Sequence, residues 1–155
     1  ALDESGIRWR VIIVSACYSG SFVDELSSPT TVVITASAAD KMSFGCTNSA
    51  DMTYFGQAFF AESLRNNTSF ANAFKEASIR IKERENFMGF EPSEPQMVVG
   101  SLMETALPAF EQVLFDQSRR VNASTIDSDS TDNEVLSDNL TSESSGSGIE
   151  ITITD

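Results

Sequence analysis

The sequence contains no histidine and only two cysteines, Cys17 and Cys46, which lie far apart along the chain. Zinc sites and dithiol redox sites need Cys or His residues at close spacing, and that spacing is absent. Glycine-rich phosphate loops of the Walker or dinucleotide type are absent as well. The sequence therefore predicts no metal site and no cofactor. We interpret Cys46 as a small buried residue rather than a disulfide partner of Cys17.

Basic residues are also scarce. Ten Lys and Arg stand against 23 Asp and Glu, which gives a formal net charge of −13. Because nucleic acid binding relies on a basic face that releases counterions from phosphates, we expect no nucleic acid partner. No apolar run approaches the roughly 20 residues that cross a bilayer, so we expect no membrane segment in this chain.

The last 40 residues have a composition of their own. They hold nine acidic residues, two arginines and nine serines, and they contain no aromatic residue. Such a segment buries too little apolar surface to offset chain entropy. We therefore predict a folded domain over residues 1–115 and a disordered acidic Ser/Asp-rich tail over residues 116–155. The alternating residues 149–154 would suit a short edge strand if a sheet edge is free.

Strands and helices alternate in the predicted domain. Three β-branched runs predict strands at 9–14, 30–35 and 97–99, and the first two have the composition of strands covered on both faces. Helical spacing predicts helices at about 53–64 and 69–85, with a shorter one after Pro108. The charged residues of the 69–85 helix, Glu85 included, are interpreted as its solvated face. The pattern is typical of an α/β fold with a mostly parallel sheet and flanking helices.

Cys17 follows the first predicted strand, within the stretch Ser-Ala-Cys-Tyr-Ser-Gly at residues 15–20. Ligands of open α/β sheets bind beyond the carboxyl ends of strands, and the small neighbours leave room for a substrate backbone. A helix over about residues 22–26 would aim its positive end at a thiolate. An inert thiol is the plain alternative. A cysteine phosphatase is excluded, because Val23 stands where such an enzyme carries its phosphate-binding Arg.

The stretch from Val11 to Gly20 resembles the nucleophile strand of caspase-like cysteine peptidases, in which a buried strand ends in Ala-Cys followed by a Ser-Gly pair. It is most similar to the legumain-like family, especially its bacterial members. Four further matches follow in the same order along the chain, at residues 35–39, 43–46, 53–56 and 92–96. The resemblance covers about residues 1–102.

This resemblance implies a caspase-like sandwich and endopeptidase activity on polypeptide substrates. Cys17 would attack the peptide carbonyl, and its own backbone N–H would be one oxyanion donor. The family takes its base from a His-Gly pair on the preceding strand. Since this chain has no His, we expect it to be the C-terminal part of a longer catalytic domain, with the N-terminal strands missing and the fragment alone inactive.

The substrate pocket is harder to assign. Eukaryotic legumains carry a Glu two residues before the nucleophile, and that position is Ser15 here. We take Ser15 and Asp51 as candidate pocket residues, although Asp51 would equally suit the cap of the helix near Thr53. Two other functions stay open. One is a non-catalytic binding or regulatory domain on a peptidase scaffold, which the absent His favours, and the other is a metacaspase or another caspase relative.

Overall fold

The computed structural model describes residues 3–45, 52–126 and 150–154, with the side chains of residues 4–45 and 52–117. Cys46 and Asp51 lie outside the described residues, and so do residues 127–149 of the predicted tail. The predictions made for them are therefore not addressed by the fold described below.

Four strands form one sheet: β1 (Arg10–Val14), β2 (Thr31–Thr35), β3 (Gln96–Val99) and β4 (Glu150–Thr154). Their order across the sheet is β3-β2-β1-β4. β1 pairs in parallel with both β2 and β4, whereas β2 and β3 are antiparallel. The α/β class is confirmed. The sheet is small and mixed, and the described residues do not amount to a complete sandwich.

The first three strands lie within one or two residues of the predicted runs. Every residue of β2 is buried, and so are the three central residues of β1. Continuous apolar, β-branched sequence suits this position because helices or other elements cover both faces of the strand. β4 lies at the edge of the sheet, beside β1. It falls within residues 149–154 of the tail, where apolar and polar residues alternate as in an edge strand.

A short helix, α1 (Val23–Leu26), lies between β1 and β2, and the first long helical segment follows Thr53. It runs as α2 (Tyr54–Gly56), a π-helical segment (Gln57–Ser63) and α3 (Leu64–Asn66). The Thr53 hydroxyl accepts a hydrogen bond from the Gly56 backbone N–H at 2.9 Å. Thr53 therefore caps this helix with its own side chain.

Helix α4 (Phe70–Met88) buries the predicted apolar stripe and one charged residue besides. The stripe consists of Phe70, Ala73, Ala77 and Ile81. Glu85 continues it one turn further and is only 2% exposed, so its assignment to the solvated face was wrong. Both of its carboxylate oxygens accept a hydrogen bond from the Ser93 N–H at 3.1 Å, which explains how the charge is accommodated.

Helix α5 (Met103–Ile126) differs from the predicted short helix in its start and its length. Pro108 lies inside it rather than at its beginning, because Met103 and Leu107 already face the core one turn earlier. On the same face, one turn after Leu107, the Glu111 carboxylate accepts a hydrogen bond from the Phe70 N–H at 2.7 Å and caps α4. The helix passes the predicted boundary at residue 115, so residues 116–126 have a helical backbone. None of the helices in the described ranges is long and apolar enough to span a membrane.

Candidate functional site

Cys17 lies three residues beyond the end of β1, at the edge of the sheet where the parallel strands β1 and β2 both end. It is a free thiol and is partly exposed. The chain segments that leave β1 and β2, residues 15–20 and 36–39, meet at this edge. Cys17 therefore lies where ligands of open α/β sheets bind, as the sequence predicts.

The direction of the thiol is set by the backbone of one residue. The Cys17 thiol donates to the Ser43 carbonyl oxygen over 3.2 Å, and the Ser43 N–H donates back to the Cys17 Sγ over 3.4 Å. Ser43 belongs to the loop that follows β2. The sulfur is thus held against the backbone of this loop, and Cys17 remains partly exposed.

A sharp turn reverses the chain directly after Cys17. Tyr18 has a φ of 59°, a left-handed conformation that is uncommon for a residue with a large side chain. Its N–H donates to the Lys41 carbonyl oxygen at 2.8 Å, and its own carbonyl accepts from the Ser21 N–H at 3.0 Å. These bonds lead the chain from β1 into a 3₁₀ turn at Ser19–Phe22 and bring the Cys17 turn against the loop after β2.

Gly20 allows that close approach. A Cβ atom at this position would lie 2.5 Å from the Ala39 nitrogen and 2.7 Å from the Ala38 carbonyl carbon. Both are backbone atoms that cannot rotate away. The Ser-Gly pair of the motif is therefore explained by packing, because only glycine fits between the Cys17 turn and the loop after β2.

Two buried serines join the same two loops. The Ser37 hydroxyl donates to the Ala16 carbonyl oxygen at 3.2 Å and accepts from the Ser19 N–H at 3.2 Å. In return, the Ser37 N–H donates to the Ser19 hydroxyl at 3.1 Å. Among the residues that the structure describes, none accepts a hydrogen bond from the Cys17 N–H. The turn is thus fixed on both sides of Cys17.

Ser15, the first candidate pocket residue, is buried. Its hydroxyl lies 2.9 Å from the Thr53 hydroxyl, which also caps α2. Ser15 therefore links the end of β1 to the start of the helix, and its pocket role stays a prediction. The second candidate, Asp51, lies outside the described residues.

A groove of about 410 Å³ begins beside Cys17, at the exposed side chain of Tyr18. Residues 40–42 and Phe44 form one wall, and residues 89–92 form the other. Phe44 and Phe90 both line it, and their rings stack on one another with centroids 4.4 Å apart and an interplanar angle of 10°. Sequence reasoning missed this groove. Its two walls are about 45 residues apart in the chain, and only the aromatic residue inside the motif at residues 43–46 hinted at a role.

The charged groups nearest the site are Asp40, Lys41 and Glu91, which line the groove. The clear pKa shifts among the described residues lie on helix α4: a side-chain hydrogen bond from Arg80 lowers the pKa of Glu76, and the same bond raises the pKa of Arg80. No three Cys, Asp or Glu side chains in the described ranges are grouped as metal ligands.

In a comparison of the sequence with models of protein families, the model for the peptidase C13 family matches residues 1–106. The chain belongs to the peptidase C13 family. This is the legumain family, so the resemblance drawn from the sequence motifs is confirmed. Membership implies cysteine peptidase activity and polypeptide substrates at the level of the family. No curated protein and no solved structure matches the chain.

Proposed function

We propose that Cys17 is the nucleophile of a legumain-like cysteine endopeptidase. The observation that carries the proposal is the position of a partly exposed thiol at the carboxyl end of a buried parallel strand, beside a groove and with its direction fixed by Ser43. Membership in a family of cysteine peptidases supports it.

The reaction follows from these groups. The Cys17 sulfur attacks the carbonyl carbon of a peptide bond, and the electron pair of the carbonyl moves onto its oxygen. The Cys17 N–H, for which no acceptor is found among the described residues, donates to that oxyanion. When the carbonyl re-forms, the amine leaves with a proton, and water then hydrolyses the resulting thioester to release the acid and the thiol.

The base that accepts the thiol proton lies outside this chain in our proposal. The 155 residues contain no His, and the legumain-like motif places a His-Gly pair on the preceding strand. General acid–base catalysis contributes roughly 10²- to 10⁴-fold. The chain by itself is therefore expected to be inactive, as the C-terminal part of a longer domain whose further strands complete a caspase-like sandwich, with an acidic tail after it.

The groove beside Tyr18 is the proposed path of the polypeptide. It is bordered by Asp40, Lys41 and Glu91, and its stacked Phe44 and Phe90 offer an apolar surface. Ser15 and Asp51 remain the proposed residues of the pocket for the side chain that precedes the cut.

A thiol-reactive peptidyl probe applied to the full-length protein tests the nucleophile. We expect labelling of the unchanged protein and of Cys46→Ala, and none of Cys17→Ala. The Cys46 variant is the matched control because Cys46 is the only other cysteine of the chain. Equal labelling of Cys17→Ala and the unchanged protein would exclude Cys17 as the nucleophile.

A second function is a non-catalytic binding domain on the peptidase scaffold. The absence of His from the chain favours it. The two functions differ in turnover: a full-length protein that binds peptides through the groove but never cleaves them, with a Cys17→Ala variant of equal affinity, would support the binding domain.

A further inference from the structure

Ser37 is fully buried two residues beyond the end of β2, directly beneath the Cys17 turn. Its hydroxyl bridges two backbone groups of that turn. It donates to the Ala16 carbonyl oxygen and accepts from the Ser19 N–H, both at 3.2 Å. Cys17 lies between these two residues, so one side chain fixes the turn both before and after the sulfur.

The hydroxyl protons of this pair can be assigned. A serine hydroxyl has one proton to donate, and that of Ser37 goes to the Ala16 carbonyl. The Ser19 and Ser37 hydroxyl oxygens lie 3.3 Å apart, so Ser19 is the donor in this contact. The Ser19 hydroxyl accepts from the Ser37 N–H in turn. Both buried hydroxyls are therefore satisfied as donors and as acceptors, which fixes the arrangement.

The bond to Ala16 acts on Cys17 through the geometry of the peptide unit. The Ala16 carbonyl and the Cys17 N–H belong to the same planar trans peptide and point in opposite directions. A donor that holds the carbonyl oxygen therefore also sets the direction of the N–H. Hydrogen bonds in a chain also polarise one another, so the bond from Ser37 makes the Cys17 N–H a better donor.

We propose that Ser37 is a positioning residue for the oxyanion site: by holding the Ala16 carbonyl it aims the Cys17 N–H at the oxygen of the tetrahedral intermediate. This inference rests on the proposed function, in which the Cys17 sulfur forms the intermediate. Ser37 itself touches neither the substrate nor the reacting atoms.

The test compares two reagents on the full-length protein in a Cys46→Ala background. A peptide aldehyde forms a tetrahedral adduct with the Cys17 sulfur and places an oxygen at the oxyanion site. Iodoacetamide is attacked at its CH₂ carbon and loses iodide, so no oxyanion forms. A change in Ser37 that acts through the Cys17 N–H should weaken binding of the aldehyde and leave the rate of alkylation by iodoacetamide unchanged.

Ser37→Ala removes the donor to Ala16, and Ser19→Ala is the matched control. The control deletes one hydroxyl from the same buried pair but leaves the bond from Ser37 to Ala16 in place. Loss of a direct oxyanion donor costs roughly 10²- to 10³-fold in rate, so a misaimed donor should weaken aldehyde affinity by about tenfold or more in Ser37→Ala. The iodoacetamide rate of that variant, and the aldehyde affinity of Ser19→Ala, should stay close to those of the unchanged protein.

Equal losses with both reagents, equal losses in the two variants, or unchanged aldehyde affinity in Ser37→Ala would each overturn the positioning role. If Ser37→Ala does not fold by circular dichroism, Ser37→Thr carries the test. It keeps the hydroxyl, so it must keep the ratio of aldehyde affinity to iodoacetamide rate, and a fall of about tenfold, the loss expected for a misaimed oxyanion donor, would contradict the inference. An unchanged protein that does not bind the aldehyde at Cys17 would overturn the proposed function itself, and this outcome is visible before any Ser37 variant is made.

Discussion

The substitution Gly20→Ala should damage both the stability of the protein and the geometry at Cys17. Its new Cβ atom would lie 2.5 Å from the Ala39 nitrogen, 2.7 Å from the Ala38 carbonyl carbon and 2.9 Å from the Gln96 Oε1. The Gln96 side chain can move, but the two backbone atoms move only with their loop. The Cys17 turn and the loop after β2 must therefore separate by several tenths of an ångström.

Insertion of one methyl group into a well-packed site costs about 1–3 kcal/mol, and contacts with backbone atoms favour the upper half of that range. For a domain of this size, a loss of 2–3 kcal/mol corresponds to a fall in Tm of roughly 6–12 °C. Urea denaturation of the full-length protein gives the free energy of unfolding, and labelling with the peptidyl probe gives the reactivity of Cys17. We expect both to fall.

Gly6→Ala is the matched control for Gly20→Ala. Gly6 has a φ of +77°, and a Cβ atom there would meet nothing within 4 Å, so the substitution carries the conformational cost of about 1–2 kcal/mol alone. The control should lose stability but keep the labelling rate of Cys17. A Gly20→Ala protein as stable as the unchanged one, or one destabilised with unchanged labelling, would refute the packing of the turn described above.

Three further changes test other contacts. Glu85→Ala leaves the buried Ser93 N–H without its acceptor and should lower the free energy of unfolding in urea by about 1–3 kcal/mol. Glu85→Gln keeps one oxygen and should lose less. Equal losses in the two variants would contradict the assigned bond. Glu111→Ala removes the acceptor of the Phe70 N–H and should cost about 0.5–2 kcal/mol, as loss of a helix cap does, with faster amide exchange in the first turn of α4; unchanged exchange there would count against it. Phe90→Ala removes the stacked ring of the groove. If the full-length protein cleaves peptides as proposed, this change should raise its KM more than it lowers kcat, and an unchanged KM would exclude the groove from substrate binding.

Much of the fold could be predicted because its signals are local. β1 and β2 are runs of β-branched residues, and the stripe of α4 repeats at helical spacing. Glu85 could not be predicted in the same way. It occupies a stripe position, but its charge suggests solvent unless the partner is known, and that partner is the backbone of a loop beyond the end of the helix. The start of α5 could not be predicted for a similar reason. A proline usually lies in the first turn of a helix, but Met103 is buried in the core and the helix already begins there, before Pro108.

The candidate site shows the same division between local and distant information. Cys17 could be placed because it directly follows a strand, and its position needs no other part of the chain. The groove needs two loops that meet only in the folded protein, and the bridge between Ser37 and Ala16 needs the exact pairing of β1 with β2. Both depend on contacts between distant parts of the chain, which the sequence alone does not give.

The five motifs of the legumain-like resemblance have one physical explanation in this structure. They are spread over residues 11–96, yet each later motif is hydrogen-bonded either to the stretch around Cys17 or to a motif that is. The bonds join Ser15 to Thr53, Cys17 to Ser43, Ser19 to Ser37 and Ala38 to Ser93. Because β1 and β2 end at the same edge, these bonds reach the Cys17 turn from several parts of the chain. The motifs are therefore best understood as one hydrogen-bonded support for the backbone on both sides of Cys17.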